Sequence, residues 1–345
     1  MEFYKRENNN FNLVKILAAY IVIYAHSFTI QPNGNADIVT KYFKITHAGQ
    51  LSVFIFMFLT GIYLCTSLKS SKNLKEFFIK KIMRIYPMLL LMLVLIIGMG
   101  AIFTTLPLKE YLTSEATRTY FIDNLLCIRN AHVLPGVFEN HPTAAINGSI
   151  WYLTFIVRLY LIAGILYSFK IFSSKEKANI SIIVLLIWII AAPNSVPILG
   201  GNINTFGNPV FPQYVITVLI ACLVYLNYSD IKIKWYHILL LLLLYKYQVD
   251  YSYNNMIIIL AIISIMTAVW FGTLDIIKKI KINDYSLTVF LFSWPISQLV
   301  CELLPKISPL TNTFLTIIIT TILGIVFNKT IDKWISKLQK RILNK

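Results

Sequence analysis

Charge is scarce in this chain. Only 13% of its 345 residues are Asp, Glu, Lys or Arg, against about 25% in ordinary soluble domains. That shortage excludes a large soluble core. Cysteine is nearly as sparse: Cys65, Cys127, Cys222 and Cys301 are scattered, with no CxxC pair, which excludes a disulfide framework and a zinc site. No other ligand spacing for a metal stands out, because His132 and His141 lack ligand spacing and an obvious carboxylate partner. Acidic residues are few, 15 against 31 Lys and Arg, for a net charge of +16. Such a charge brings nucleic acid to mind, but the basic residues lie in short clusters between apolar runs. That is the positive-inside pattern of a membrane protein and not a polyanion groove. Internal repeats and low-complexity segments are also missing. What is present in quantity is apolar: 57% of the residues, with a mean hydropathy of +0.69.

Apolar runs of spanning length recur near 12–30, 50–68, 85–104, 149–169, 179–192, 211–227, 235–247, 255–272, 286–304 and 311–328. The fifth and seventh are the shortest. The chain therefore reads as one all-α integral membrane domain over 1–345, with about ten transmembrane helices. With the N-terminus inside, the inner segments are 1–15, 69–84, 170–178, 228–234, 273–285 and 329–345. These hold 23 of the 31 Lys and Arg, a bias that orients short loops. An even helix count keeps the basic tail inside, so both termini are expected in the cytoplasm. In that tail, 329–345, the residues Ile331, Trp334, Ile335, Leu338 and Ile342 recur at helical spacing between lysines. It reads as an amphipathic helix on the inner leaflet, anchored to anionic lipid. The only long polar connection, 105–148, is expected outside, either as a wall or lid of an outward-facing site or as a disordered spacer.

The first run, Phe11 to Ile30, carries two ionisable groups, Lys15 and His26. Eleven residues apart, they return to one helix face within roughly 20° and stand roughly 16 Å apart along the axis. Ionisable side chains in a membrane helix face a protein interior or a cavity. An imidazole there either takes a proton from a hydroxyl near neutral pH or is a structural histidine bonded to a neighbour. Lys69, Lys72, Lys75, Lys80, Lys81 and Arg84 cluster at the inner end of the third run. Positive-inside anchoring accounts for much of that cluster. Alternatively, Lys80, Lys81 and Arg84 join Lys15 in a socket for phosphates. The stretch Asn147 to Leu153, NGSIWYL, leads into Arg158 and Tyr160. Trp151 and Tyr152 fit an interfacial belt, whereas Arg158, about two turns into an apolar helix, requires a counter-charge, a cavity or a phosphate-like partner.

Taken together, these stretches resemble membrane-bound acyltransferase family 3, the multi-pass O-acyltransferases of cell-surface glycans. LVKILAAYIVIYAHSF is similar to the family's opening motif, in which a basic residue precedes the histidine by eleven positions. The resemblance places the catalytic histidine on His26 and the basic residue on Lys15, where Arg is usual. Charge is kept there and the bidentate fork is lost. AGQLSVFIFMFLTGIYL resembles the second helix, with Thr60 and Gly61 at its small-residue signature. FFIKKIMRIYP carries the family's arginine onto Arg84 and its Tyr-Pro onto Tyr86 and Pro87. IWYLTFIVRLYL resembles the fourth-helix Trp motif, with Ile156 where many members have glutamate. NDYSLTVFLFSWPI resembles the late Ser-containing helix, with Ser293 where some relatives have histidine. The two departures bear on substrate class more than on fold.

The resemblance implies an acyl-CoA donor, acetyl-CoA by family frequency, whose phosphates rest on Lys15, Lys80, Lys81 and Arg84. It implies a carbohydrate or glycan acceptor on the outer side, near Asn147, Trp151, Tyr152 and Arg158. His26 is then the general base, with an acyl-histidine intermediate as the rival route, and Asn147, Tyr152 and Arg158 are the candidate oxyanion donors. No metal is required. Apart from donor and acceptor, the lipid bilayer is the expected partner, and nothing in the sequence bears on oligomeric state. A transporter or flippase of a glycan or small solute is the alternative. Paired repeats with broken helices are common in that class, and Pro193, Pro197 and Pro209 lie where such a break would mask one.

Overall fold

The computed structural model describes residues 2–192, 211–247 and 253–343, and among these the regular structure is entirely helical. The prolines at 193, 197 and 209 lie outside the described residues. Each strongly apolar run becomes a helix. α1 spans Phe11–Ile30, and the short α2 spans Ile38–Phe43. α3 runs Ala48–Ser70 and α4 Leu74–Phe103. The next two, α5 (Leu108–Thr113) and α6 (Glu115–Leu125), lie within the long polar connection. α7 covers Trp151–Ser168, α8 Lys175–Ala191, α9 Phe211–Asn227 and α10 Trp235–Tyr247. α11 (Tyr253–Gly272) and the single turn α12 (Asp275–Lys278) precede α13 (Ser286–Leu303) and α14 (Pro309–Leu343).

Helix starts follow capping chemistry. The side chains of Asn10, Asp37, His47, Asn73, Ser114 and Ser174 each accept a backbone N–H from the first turn of the helix they precede. These bonds satisfy donors that a helix leaves without intrahelical partners.

Among the described residues, seven helices are long and apolar enough to cross a membrane: α1, α3, α4, α7, α11, α13 and α14. α9 is apolar but shorter, and α8 and α10 have 17 and 13 residues. All ten expected runs are therefore helical, while length and hydropathy alone qualify seven as spans. The chain is a multi-pass membrane protein. Its outward faces carry exposed Leu90, Val94, Leu95, Leu161, Ile165, Ile183 and Val184, the apolar exterior that lipid tails match.

α1, α3 and α13 form the interior of the bundle. α3 packs against α1, α9 and α11, and α1 packs against α13 and α14. The α3–α9 approach is close at Gly61, where an added Cβ would lie 2.6 Å from both Ala221 Cβ and the Val218 carbonyl oxygen. Small residues at such crossings let helix backbones approach. Gly61→Val is therefore expected to push the two helices apart at a cost of about 1–3 kcal/mol, read as a lowered melting temperature of the detergent-solubilised protein.

Two boundaries differ from expectation. α4 begins at Leu74, well before the apolar run that starts near 85, because the basic segment continues the same helix through Pro87. Up to Leu343 the tail after residue 328 continues α14 without a separate helix start. No Gly or Pro interrupts FNKTIDKW, so the backbone ladder has no point at which to break. The connection 105–148 is folded onto the bundle and not a spacer. Tyr111 and Tyr120 are fully buried, Tyr111 Oη donates to the Ile97 carbonyl at 3.0 Å, and Thr104 Oγ1 donates to the Pro135 carbonyl at 2.8 Å.

Candidate functional site

Lys15 and His26 stand at opposite ends of α1, and each lines a cavity. At the Lys15 end the cavity is narrow, about 80 Å³, and is lined by Lys15, Lys81, Arg84, Tyr63, Tyr160 and Ser286, with Ile156 in its wall. Three cations from two helices converge there. Lys15 Nζ lies 5.2 Å from the Tyr63 ring centroid, and Lys81 Nζ lies 4.5 Å from that of Tyr160. Aromatic faces of this kind steady cations withdrawn from water.

A carboxylate not marked by any strong local sequence pattern ties the group together. Asp284, just ahead of α13, pairs with Lys15 through Oδ2 and accepts from Arg84 at 3.4 Å. Its Oδ1 accepts from the Ser286 hydroxyl at 2.6 Å. Burial alone would raise the Asp284 carboxyl pKa, but Lys15 and Arg84 outweigh it and hold the group well below the usual carboxylate range. One carboxylate facing three cations leaves a surplus of positive charge, half-exposed at Arg84. Lys80 does not join them: it pairs with Glu76 at 2.7 Å, one turn away on α4.

At the His26 end the cavity is larger, about 310 Å³, and its lining includes His26, Gln50, Ser149, Trp151, Tyr214 and Trp294. The His26 ring rests edge-to-face on Trp294, with centroids 4.6 Å apart, and its Nδ1 is buried without a hydrogen-bond partner. Trp294 is in turn fixed. Its Nε1 donates to the Ala145 carbonyl at 2.7 Å, and Gly148 lies so close that a Cβ there would sit 2.6 Å from the indole. Gln298 donates to the Thr143 and Ala145 carbonyls, both at 2.7 Å, so the end of the long connection is sewn to α13. His141 extends that seam, with Nδ1 2.7 Å from Gln298 Oε1 and Nε2 2.8 Å from Glu302 Oε2.

The two cavities adjoin at Phe290, which lines both. Its ring packs 5.6 Å from Phe56 and 5.0 Å from Tyr152, and those two rings are 5.9 Å apart. Three aromatic side chains thus form a septum between the cationic end and the imidazole end.

The remaining residues singled out from sequence are distributed as follows. Trp151 lines the His26 cavity and stacks on Tyr214 at 5.8 Å. Tyr152 lines the other cavity, its hydroxyl 3.3 Å from Thr60 Oγ1. Asn147 is fully buried and holds the chain turn, donating to the Leu291 carbonyl at 3.3 Å and accepting from Ser149 N at 2.9 Å. Arg158 donates to the Ile128 carbonyl, in the backbone of the long connection, at 2.6 Å. Neither Asn147 nor Arg158 lines either cavity. Ser293 is buried and donates to the Phe290 carbonyl of its own helix at 2.7 Å.

Asp284, Gln50, Ser149 and Trp294 were not picked out from sequence. Asp284 left a faint signal as an acidic residue in a basic segment, and Gln50 as an amide in an apolar helix.

Compared with known proteins, residues 8–329 match the family model for acyltransferase family 3, described as an acyltransferase domain. No curated protein and no solved structure matches the chain.

Proposed function

The chain belongs to acyltransferase family 3, and from that premise we propose that it carries an acyl group, acetyl first among candidates, from cytoplasmic acyl-CoA to a hydroxyl of an extracytoplasmic carbohydrate or glycan. The observation that carries this reading is the pair of cavities at the two ends of α1, one cationic and one holding His26, adjoining at Phe290. The donor's phosphates suit Lys15, Lys81 and Arg84, since bidentate Arg and point-charge Lys are the phosphate-binding side chains. The pantetheine arm is thin enough for the narrow cavity, and the septum at Phe290 is the barrier its thioester has to pass or meet.

In this reading the ten apolar helices all cross the cell membrane and both termini are cytoplasmic, in keeping with the distribution of Lys and Arg. That puts the Lys15 end in the cytoplasm and His26 toward the outside. The acceptor hydroxyl sits in the His26 cavity, where Trp151 and Trp294 offer flat apolar faces. His26 takes the hydroxyl proton on the ring nitrogen facing the cavity. The hydroxyl oxygen bonds to the thioester carbonyl carbon, and the C=O electron pair moves onto oxygen. Collapse of that intermediate breaks the C–S bond, and the departing thiolate receives the proton from His26. The products are an ester and the free thiol of CoA. Only the acyl group changes sides.

Purified full-length protein given acetyl-CoA is expected to release free thiol, with His26→Ala abolishing release. A protein that releases none and instead moves glycan or small solute across vesicles is a transporter, and the acyl-transfer reading fails. Arg84→Ala is expected to weaken acetyl-CoA binding by about 10- to 100-fold, the effect of a lost charge-assisted hydrogen bond. Isothermal titration with acetyl-CoA measures it, and acceptor affinity is expected to stay unchanged.

A further inference from the structure

Three residues lining the His26 cavity each bury a polar side-chain atom without a hydrogen-bond partner: His26 Nδ1, Gln50 Nε2 and Ser149 Oγ. Gln50 is 4% exposed and Ser149 1% exposed, and both line that cavity beside His26. Gln50 Nε2 and Ser149 Oγ are buried, and neither has a hydrogen-bond partner. A buried donor left without an acceptor costs about 1–3 kcal/mol, and each such group in a folded protein calls for an explanation. Both residues are anchored by other bonds. The Gln50 carbonyl oxygen accepts from the Thr46 hydroxyl at 2.9 Å, which leaves the carboxamide nitrogen as the unused end. Ser149 is held through its backbone N–H, which donates to Asn147 Oδ1 at 2.9 Å.

We propose that Gln50 Nε2 and Ser149 Oγ form the oxyanion site of the acyl transfer, donating to the oxygen that gains negative charge when the hydroxyl adds to the thioester. This inference rests on the acyl-transfer reading above. The chemistry fits: the intermediate needs neutral donors, fixed in advance and shielded from water, within the cavity of the base. A carboxamide N–H and a hydroxyl supply this without attracting the donor's phosphates, which the cations at the other end of α1 attract. The sequence-derived candidates for the role are occupied elsewhere. Asn147 donates to the Leu291 carbonyl, Arg158 to the Ile128 carbonyl, and the Tyr152 hydroxyl lies beside Thr60. The two donors come from α3 and from the turn before α7, and α1 brings the base, so three segments meet on one reacting carbonyl.

The test is thiol release from acetyl-CoA, with water as the default acceptor, by full-length wild type and by Gln50→Leu, Gln50→Glu and Ser149→Ala. Gln50→Leu is expected to lower kcat by about 10²–10³-fold, with KM for acetyl-CoA within about twofold of wild type. Gln50→Glu retains an oxygen for the Thr46 hydroxyl but presents an anion in place of the donor. It is expected to lose at least as much activity, with a melting temperature somewhat below wild type because the added charge is buried. Ser149→Ala is expected to show a smaller loss, also in kcat. A Gln50→Glu enzyme as active as wild type would overturn the proposal and assign Gln50 to its Thr46 bond. Unchanged kcat in Gln50→Leu, or a loss confined to KM, would overturn it as well. In those cases wild type still turns over and His26→Ala does not, so the acyl-transfer reading survives. No thiol release by wild type would overturn both.

Discussion

Replacing His26 by Ala is expected to lower acyl transfer by about 10²–10⁴-fold, the usual contribution of a positioned general base, while leaving acetyl-CoA binding intact. The two effects separate because the cations proposed to hold the donor lie at the far end of α1, beyond the Phe290 septum. His26 also packs on Trp294, so the Ala variant leaves a gap beside the indole and some stability is lost with the ring. His26→Gln separates that loss from the chemistry, because it fills more of the space and is a far weaker base. Both variants are expected to be inactive and to bind acetyl-CoA as wild type does. Measured kcat with a parallel binding titration checks this, and an active Gln variant would reduce His26 to a packing residue. The same kinetics address the rival route: a burst of thiol release ahead of steady turnover, or ping-pong patterns, would indicate an acyl-histidine.

Asp284→Asn is expected to destabilise the protein by about 3–5 kcal/mol, the cost of leaving a buried ion-pair partner unmatched. Lys15 is 6% exposed and Asp284 is the one acidic group paired with it among the described residues, so its ammonium would remain buried with Arg84 nearby and no counter-charge. The effect has a pH signature. The Asp284 carboxyl is depressed in the folded protein relative to an unfolded value near about 3.9, so the unfolded chain binds the proton more readily. The ion pair's contribution is therefore complete above about pH 4–5, declines as pH falls below the unfolded value, and vanishes below the depressed folded one. Melting curves of wild type and Asp284→Asn should stay a constant distance apart from about pH 8 to 5 and converge in stronger acid. Convergence on the alkaline side instead would contradict the assigned charge state.

Much of this architecture is written locally. Runs of apolar residues about 20 long are helices because a backbone in lipid has to satisfy its own hydrogen bonds, and every such run is helical here. The boundaries were less legible. The basic stretch before Ile85 reads as a loop by hydropathy, yet it continues α4, because Lys and Arg are good helix formers and lie at the end of the apolar segment. The helices α5 and α6 escaped notice because polar segments of 6 and 11 residues lack a strong apolar period.

At the site, the pairing of Lys15 with His26 on one helix face was visible from spacing alone, since both belong to one helix. Asp284 lies 269 residues from Lys15, and no local pattern announces a contact made only when α13 packs on α1. Trp294 is nearly as distant from His26 in the chain, and its place beneath the imidazole depends on Gly148 and on the Ala145 carbonyl. Gln50 and Ser149 are ordinary polar residues by type. What distinguishes them is burial without a partner, a property that exists only once the helices have assembled.

The most direct test of the central idea, that donor and acceptor engage opposite ends of α1, is the sidedness of the reaction. Full-length protein is reconstituted in sealed vesicles with acetyl-CoA carrying a labelled acetyl group supplied to one face, and orientation is scored by protease access to a terminal tag. Only molecules presenting the Lys15, Lys81 and Arg84 end are expected to consume the donor, leaving CoA in that compartment and labelled acetyl product in the other. Labelled product and CoA recovered together on the donor side would contradict it.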